Sequence, residues 1–414
     1  MKYIEELISD KNTPRLIPSF KQPERKLLSV FMAMLECSPN IRAEFLAQCG
    51  CRIAKTGTYQ SLMEVSYKGS KYPDVRPDGL VWCRRGQTDW AAFIEAKADV
   101  GKIRTEQIQD YAQLADQVGV PVVITISNDF ALKPDEPPYN IPKAKLKSRD
   151  LYHFAWADIR TFLELQRSNA DLCEFELYVL DQCLEFFWED GAGIRTYDAM
   201  PEGWPAFVEA SSTALGFNSN IKGFSEIVYG WQQERRDLCS KLTHNLHRRV
   251  SLRHSAGIRA DEDTRAKEDR RALSEDYLIT AGFYIENEKL LLDVRADLRA
   301  CKIACSMDLP LPDGKGNKAL TTWLIKCLAD VDADDAMLFF DWPGTKDDMQ
   351  IGLAKFRDDP ELVVAIRKDA PRRINISLCT HSVRRFKSRK LFIEDLEATA
   401  FRMLNLGQQV GWIL

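Results

Sequence analysis

Residues 77–97 contain two short apolar runs that are separated by a polar turn at residues 84–88. This pattern predicts a β-hairpin. Because side chains alternate between the two faces of a strand, Glu95 and Lys97 point to the same side near the end of the second strand. Asp78 stands at the start of the first strand, within reach of the same place. The hairpin is therefore expected to gather two carboxylates and one ammonium group at the end of an otherwise apolar sheet.

These three side chains have the chemistry of a metal-dependent hydrolytic site. Carboxylate oxygens such as those of Asp78 and Glu95 are hard ligands that suit Mg²⁺ or Mn²⁺. We expect the backbone carbonyl of Ala96 to complete the metal site, and Lys97 to orient a water molecule and favour its deprotonation. The alternative is an exposed acidic turn beside an unrelated Glu–Lys pair on the surface.

The sequence Pro77-Asp78 followed by Glu95-x-Lys97 resembles the signature of the PD-(D/E)xK nuclease superfamily. The resemblance implies a metal-dependent phosphodiesterase of the α/β class, with a restriction-endonuclease-like αβββαβ core. It covers roughly residues 20–165, which is less than half of the chain.

The elements around the hairpin are predicted in the order that this superfamily requires. An amphipathic helix begins at Pro23, and residues 60–67 form the strand that precedes the hairpin. After the hairpin, residues 103–118 have the spacing of a helix. Residues 122–127 are almost wholly apolar and β-branched, as a strand buried on both faces should be.

Gln107 and Tyr111 lie one turn apart on the predicted helix. They resemble the QxxxY element that several branches of the superfamily carry. The resemblance implies that both side chains sit beside the active site and help to hold the substrate strand.

Superfamily members often add an acidic residue from the first helix, and two residues here are candidates. Glu24 shares the apolar face of its helix, although an acid in the first turn is also favoured by the helix dipole alone. Glu64 lies on the first strand and could also point inward. We choose Glu24 as a catalytic residue from its position in the helix, and Glu64 remains the alternative.

The remainder of the chain predicts two further parts. We place the nuclease-like domain at residues 1–169, a helical middle segment at 170–275 and a C-terminal α+β domain at 276–414. Residues 367–390 hold nine Lys or Arg and one Asp. Such a run suits the backbone of a nucleic acid, and the alternative is a solvated edge. The residues chosen for substrate binding in this run are Arg384, Arg385, Arg389 and Lys390.

Composition limits the class of protein. The chain has 414 residues and a formal net charge of −4, so contacts to nucleic acid must come from local basic patches. No run of about 18 apolar residues exists, so no membrane span is expected. The acidic start of the chain lacks an apolar signal core, which favours a cytoplasmic location.

The combined prediction is a metal-dependent nuclease that hydrolyses phosphodiester bonds, with DNA as the expected substrate and bacterial defence or repair as the expected role. The expected cofactor is Mg²⁺ or Mn²⁺. The first alternative is an inactive nuclease-like core that binds nucleic acid or a protein without cutting. The second is a nuclease whose C-terminal half senses a ligand and switches cleavage. The sequence leaves a homodimer open.

Overall fold

The computed structural model describes residues 7–131, 133–212, 223–253, 262–286, 291–342, 344, 349–366 and 369–413. The chain forms two compact units, Met1–Thr196 and Tyr197–Leu414. The predicted middle segment, residues 170–275, is divided between them. Its first helix, Glu174–Trp188, belongs to the first unit because Leu180, Phe187 and their neighbours complete the apolar core there. The structure thus has two units where the sequence indicated three segments.

The first unit alternates strands and helices along most of its length. Its elements in chain order are β1 (Ile8–Asn12), α1 (Pro23–Cys37), α2 (Pro39–Ala47), β2 (Thr58–Tyr67), β3 (Gly79–Arg85), β4 (Thr88–Ala96), α3 (Thr105–Val118), β5 (Val122–Ser127), β6 (Asp150–Ala155), α4 (Trp156–Gln166) and α5 (Glu174–Trp188), with 3₁₀ turns at Lys143–Leu146 and Asp190–Ala192.

The strands of this unit form one mixed sheet in the order β1-β2-β3-β4-β5-β6. Neighbours from β1 to β4 are antiparallel, whereas β5 and β6 run parallel to β4. The helix α3 makes the crossover that a parallel β4–β5 pair needs. The predicted α/β class is confirmed, and a helix, three antiparallel strands, a helix and a parallel strand follow one another as the sequence indicated.

Two apolar layers enclose this sheet. On one face, Val81 and Ile94 pack with side chains of α1, α4 and α5. On the other face, Trp82 and Phe93 pack with side chains of α3. Glu95 lies two residues after Phe93 in β4, and 0% of its surface is exposed. Because residues i and i+2 of a strand face the same side, Glu95 lies next to Phe93 on the α3 side of the sheet.

The sequence missed β1. Ile8–Asn12 pairs antiparallel with β2, although no strand is predicted before the helix that begins at Pro23. The pairing shifts register between Asp10 and Asn12, and Glu64 on the facing strand has a φ of 51°. Such irregular pairing leaves no alternating pattern in the sequence, which explains the difference.

The second unit combines an antiparallel sheet with helices. Its elements are α6 (Trp204–Ser212), α7 (Phe224–Leu246), β7 (Val250–Leu252), α8 (Glu262–Arg271) with a π turn at Ala272–Asp276, β8 (Leu278–Ile285), β9 (Leu291–Asp297), β10 (Lys302–Asp308), α9 (Asn317–Leu328), β11 (Met337–Asp341), β12 (Met349–Gly352), α10 (Leu353–Asp358), α11 (Glu361–Ile366), β13 (Arg373–His381), α12 (Val383–Lys387) and α13 (Arg389–Gln409).

The strands of the second unit are ordered β12-β11-β13-β10-β9-β8-β7, and all neighbours are antiparallel. The strands β8, β9 and β10 form a meander, within which residues 287–290 lie outside the described part. The helix α7 precedes this sheet in the chain. It ends at Leu246 because His247 adopts a left-handed φ of 51°, and Val250–Leu252 returns as a strand beside β8.

One face of the second sheet is apolar and packs against α7 and α13. Phe283 and Val294 alternate with polar neighbours along their strands and contact the same core as Leu396 and Met403 of α13. Within the described residues of both units, no helix is long and apolar enough to cross a membrane.

Gly230 in α7 generates a prediction about this packing. A Cβ atom at this position would lie 2.7 Å from Pro201 Cδ and would also overlap the hydroxyl of Tyr197. In an open helix, Gly→Ala stabilises by about 1 kcal/mol. Here we expect Gly230→Ala to destabilise by about 1–3 kcal/mol through overpacking. Hydrogen exchange of the α7 amides in the full chain should accelerate accordingly.

The matched control is Gly316→Ala in the same unit, where an added Cβ meets no atom within 4 Å. This control should exchange like the wild type. Slower exchange in Gly230→Ala than in the wild type would contradict the packing described for α7.

Candidate active site

The pairing of β3 with β4 positions the predicted acidic residues. Gly79 pairs with Ile94 in this antiparallel register. Asp78 immediately precedes Gly79, and Glu95 immediately follows Ile94, so the two acids lie at the same end of the hairpin. Lys97 comes directly after β4, and its backbone N–H donates to a β5 carbonyl at 2.8 Å. The strand register therefore brings all three charged residues to one sheet end, as the sequence predicts.

Direct contacts connect these residues. Asp78 Oδ2 accepts a hydrogen bond of 3.0 Å from the backbone N–H of Ala96. The Lys97 ammonium group forms an ion pair with Glu95 Oε1 and lies 3.3 Å from the carbonyl oxygen of Ala96. A cation is therefore bound between two of the oxygen ligands that the sequence assigned to a metal, namely the carboxylate of Glu95 and the carbonyl of Ala96.

The second oxygen of Glu95 is held by α3. Tyr111 donates its hydroxyl proton to Glu95 Oε2 at 2.5 Å, and the same hydroxyl lies 3.0 Å from the carbonyl oxygen of Arg76. Burial, together with the nearby Glu95 carboxylate, raises the pKa of Tyr111 well above its ordinary value. The tyrosine is therefore a neutral donor that fixes the orientation of the Glu95 carboxylate.

Gln107 lies one turn before Tyr111 in α3, and its side chain interacts with the Tyr111 hydroxyl. Its amide oxygen Oε1 is buried, and no hydrogen-bond partner for it exists among the described residues. A buried amide oxygen without a partner costs free energy, so this atom is available to a donor that the chain itself does not supply.

Electrostatics at the site favour the binding of a positive charge. Burial, followed by repulsion from Glu95, raises the pKa of Asp78 to about 8, although the Ala96 N–H and the Lys97 ammonium group act in the opposite direction. Two carboxylates that are close together cannot both stay ionised unless a cation or a shared proton relieves their repulsion. One lysine offsets only one of the two charges.

Three polar residues on neighbouring segments form a hydrogen-bonded cluster beside Glu95. Thr125 is the register partner of Glu95 in β5. Its hydroxyl contacts the hydroxyl of Tyr139 and lies 2.9 Å from His153 Nδ1. His153 Nε2 is 2.8 Å from the carbonyl oxygen of Asp129, and the histidine is 1% exposed. Only the register between parallel strands could have indicated this cluster.

The structure separates the two candidates for an additional acid. Glu24 lies half-exposed in the first turn of α1, and none of the described residues hydrogen-bonds or ion-pairs with its carboxylate. Glu64 is buried, pairs with Arg25 at 2.9 Å and accepts a hydrogen bond of 2.7 Å from Asn12. The backbone N–H of Glu64 also donates to the Asp78 carbonyl at 3.0 Å. The two acids thus differ in their surroundings, but the contact between Glu64 and Asp78 is made by main-chain atoms, so the choice of Glu24 over Glu64 stays a prediction.

The basic run at 367–390 is partly neutralised in the structure, and residues 367 and 368 lie outside the described part. Arg385 forms two short hydrogen bonds with Asp395, and Arg389 donates to the carbonyl of Met200 at 2.6 Å. Lys390 lies 4.0 Å from a glutamate one turn further along α13. Arg384 is exposed. A charge count along residues 367–390 overestimates the free positive charge, because the acids of α13 lie outside that range.

Comparison of the chain with protein families, with curated proteins and with solved structures finds no match. What the site can do therefore follows from its own geometry. The site combines two carboxylates, a carbonyl oxygen and an ammonium group at the end of one hairpin. The helix α3 adds the amide oxygen of Gln107, which has no partner among the described residues. Such a set can hold a cation and a polar substrate together.

The buried histidine gives a prediction about pH. Burial lowers the pKa of His153 to about 4 from an ordinary value of 6.5, so the fold favours its neutral form. Its contribution to stability is complete above pH 6.5 and is lost as the pH falls towards 4. Between pH 7 and pH 5, the wild type should lose about 2 kcal/mol relative to His153→Gln.

Urea unfolding of the full chain at both pH values, followed by hydrogen exchange of the first unit's amides, measures this difference. The control is His381→Gln, which changes an exposed histidine of the second unit. An equal pH dependence in the wild type and in His153→Gln would show that His153 titrates alike in the folded and unfolded states.

Proposed function

We propose that the first unit is a metal-dependent phosphodiesterase that cuts nucleic acid, with DNA as the expected substrate. The observation that carries this proposal is the position of Lys97, whose ammonium group lies between the Glu95 carboxylate and the Ala96 carbonyl, beside Asp78. The Glu95 carboxylate and the Ala96 carbonyl thus already contact one cation, the Lys97 ammonium group, and Asp78 lies beside them.

The ligand set fits a hard divalent cation. Asp78, Glu95 and the Ala96 carbonyl supply only oxygen atoms, which Mg²⁺ and Mn²⁺ prefer. Lys97 carries a single charge and leaves the two carboxylates incompletely neutralised, as the raised pKa of Asp78 indicates. When bound, a divalent cation would polarise a phosphate oxygen and lower the pKa of a water molecule.

The residues of the chain then have distinct roles. Lys97 supplies a positive charge that stabilises negative charge developing on the phosphate and on the attacking oxygen. Tyr111 is a positioning residue, because its hydroxyl is engaged with Glu95 and holds that carboxylate in place. Gln107 is the better candidate for a substrate contact, because its amide oxygen has no partner among the described residues.

We also propose that the first unit is a restriction-endonuclease-like core. The support is the order of its elements, in which α1 precedes the antiparallel strands β2, β3 and β4, and α3 leads to the parallel strand β5. Asp78 and Glu95 lie at the positions in this order that the PD-(D/E)xK resemblance assigns to the metal-binding acids. A role in bacterial defence or repair is consistent with such a core.

A binding module without cleavage is the second candidate, and one observation favours it. The ion pair between Lys97 and Glu95 already occupies part of the site, and Tyr111 occupies the other oxygen of Glu95. A site closed in this way can persist without a metal. In that case, Asp78 would remain protonated at neutral pH and the unit would only hold nucleic acid.

Metal-dependent cleavage is the first prediction from this proposal. Linear, circular and single-stranded DNA, and RNA, should be tested with Mg²⁺ or Mn²⁺, and EDTA should abolish cutting. Lys97→Ala should lower the cleavage rate by about 100-fold or more, because the ammonium group acts on the reacting atoms. Mn²⁺ binding, followed by electron paramagnetic resonance, should persist in Lys97→Ala and be lost in Asp78→Asn.

The matched control is Lys55→Ala, which removes an exposed lysine of the same unit and should cut like the wild type. Full cleavage by Lys97→Ala would refute the assignment of this lysine. Binding of DNA by the wild type without cutting, under all metal conditions, would favour the binding module instead.

The second prediction separates the roles of the two α3 residues. Tyr111→Phe removes the hydroxyl that contacts Glu95 and the Arg76 carbonyl, so it should lower Mn²⁺ affinity by about 10–100-fold, as loss of a partner to a metal ligand does. Gln107→Ala should raise KM and leave Mn²⁺ affinity unchanged. Tyr178→Phe, at a tyrosine that is 63% exposed, is the control. Unchanged Mn²⁺ affinity in Tyr111→Phe would remove its positioning role.

A further inference from the structure

Three carboxylates converge within the second unit. Glu234 and Asp237 lie one turn apart on α7, and Glu397 lies on α13. One carboxylate oxygen of each residue lies within 4.8 Å of the corresponding oxygens of the other two. Glu234 and Asp237 are 0% exposed. The two helices therefore share a buried acidic cluster at the place where they pack.

Lys241 interacts with two of the three acids. Its ammonium nitrogen lies 2.7 Å from Asp237 Oδ2 and 2.6 Å from Glu397 Oε1. The backbone N–H of Tyr197 donates to the same oxygen of Asp237 at 2.9 Å. Burial acts to lower the pKa of Lys241, but the ion pairs with Asp237 and Glu397 together raise it, so this lysine stays charged. Asp237 Oδ2 and Glu397 Oε1 are thus engaged by groups of the chain itself.

Glu234 is different, because neither of its carboxylate oxygens has a hydrogen-bond partner among the described residues. A buried, ionised carboxylate without a partner costs several kcal/mol. Two arrangements relieve this cost: a proton on Glu234, or a cation that Glu234 binds together with its two neighbours. A proton on Glu234 leaves the rest of the cluster unchanged, whereas a cation would be bound by all three acids together.

The charges in the cluster favour the cation. With all three acids ionised, Glu234, Asp237 and Glu397 would carry three negative charges against the one positive charge of Lys241. A divalent cation would make the sum zero, whereas a single proton would leave one net negative charge in a buried site. Nearby Asp198 and Arg389 are both exposed and of opposite sign, so they do not alter this sum.

We propose that Glu234, Asp237 and Glu397 form a second site for a hard divalent cation, of the class of Ca²⁺, Mg²⁺ or Mn²⁺, which joins α7 to α13. Carboxylate oxygens are the ligands that these ions prefer. The cation stabilises the second unit, and the site is independent of the Asp78–Glu95 site. Its existence does not rest on the proposed cleavage activity.

The test uses the full chain in a Glu95→Gln background, which removes the metal ligand of the first unit. The probes are Mn²⁺ alone, with binding measured by electron paramagnetic resonance, and Ca²⁺ alone, with hydrogen exchange of α7 and α13. One equivalent of Mn²⁺ should bind. At a Ca²⁺ concentration of 100 Kd, the slowest amides of both helices should exchange about 100-fold more slowly.

Adding Glu234→Gln to this background should abolish both effects, and Glu397→Gln, at a residue that is only half-buried, should weaken them. Because glutamine is neutral and of equal size, the metal-free Glu234→Gln protein should fold at least as well as its parent. Glu202→Gln, at an exposed glutamate of the same unit, is the control and should bind like its parent.

If the parent binds no Mn²⁺, or if Mn²⁺ and Ca²⁺ act alike with and without Glu234→Gln, then Glu234 carries a proton and the proposal is overturned. Neither result depends on whether the first unit cuts nucleic acid, because cleavage is not measured and Glu95 is already replaced.

Discussion

The register of the hairpin between β3 and β4 is the constraint on which the candidate active site depends. Pairing of Gly79 with Ile94 makes Asp78 and Glu95 neighbours at one sheet end. A slip of one residue would turn Glu95 to the opposite face, into an apolar layer, and bring Ile94 beside α3. Apolar packing on both faces of the sheet opposes that slip, so the core of the first unit also determines the geometry of its charges.

Both units contain a cluster of acids in which a single lysine neutralises too little charge. In the first unit, Lys97 pairs with Glu95, and the pKa of Asp78 is raised to about 8. In the second, Lys241 pairs with two acids, and burial raises the pKa of Glu234 well above its ordinary value. Such residual charge is costly inside a protein, and a bound divalent cation removes it. The two sites differ in position, because one opens at a sheet end and the other lies between helices.

The sequence predicts the local pattern well and the long-range contacts poorly. The alternation in residues 77–97 was sufficient for the hairpin and for the meeting of Asp78 with Glu95. It could not indicate that Thr125 lies beside Glu95, since that depends on a parallel register. The acids that pair with Arg385 and Lys390 lie just beyond the basic run, whereas the members of the Glu234 cluster lie far apart in the chain, where periodicity carries no information. Glu24 was chosen over Glu64 from its helix face alone, and the contacts of the Glu64 carboxylate with Arg25 and with Asn12 of the irregular strand β1 carried no signal in the sequence.

The most direct test of the account is a crystal structure of the full chain grown with Mn²⁺, with anomalous scattering recorded at the manganese edge. The account predicts a manganese peak bound by Asp78, Glu95 and the Ala96 carbonyl, with the Lys97 ammonium group moved away from Glu95. A map without a peak there, in which Lys97 still pairs with Glu95, would contradict it.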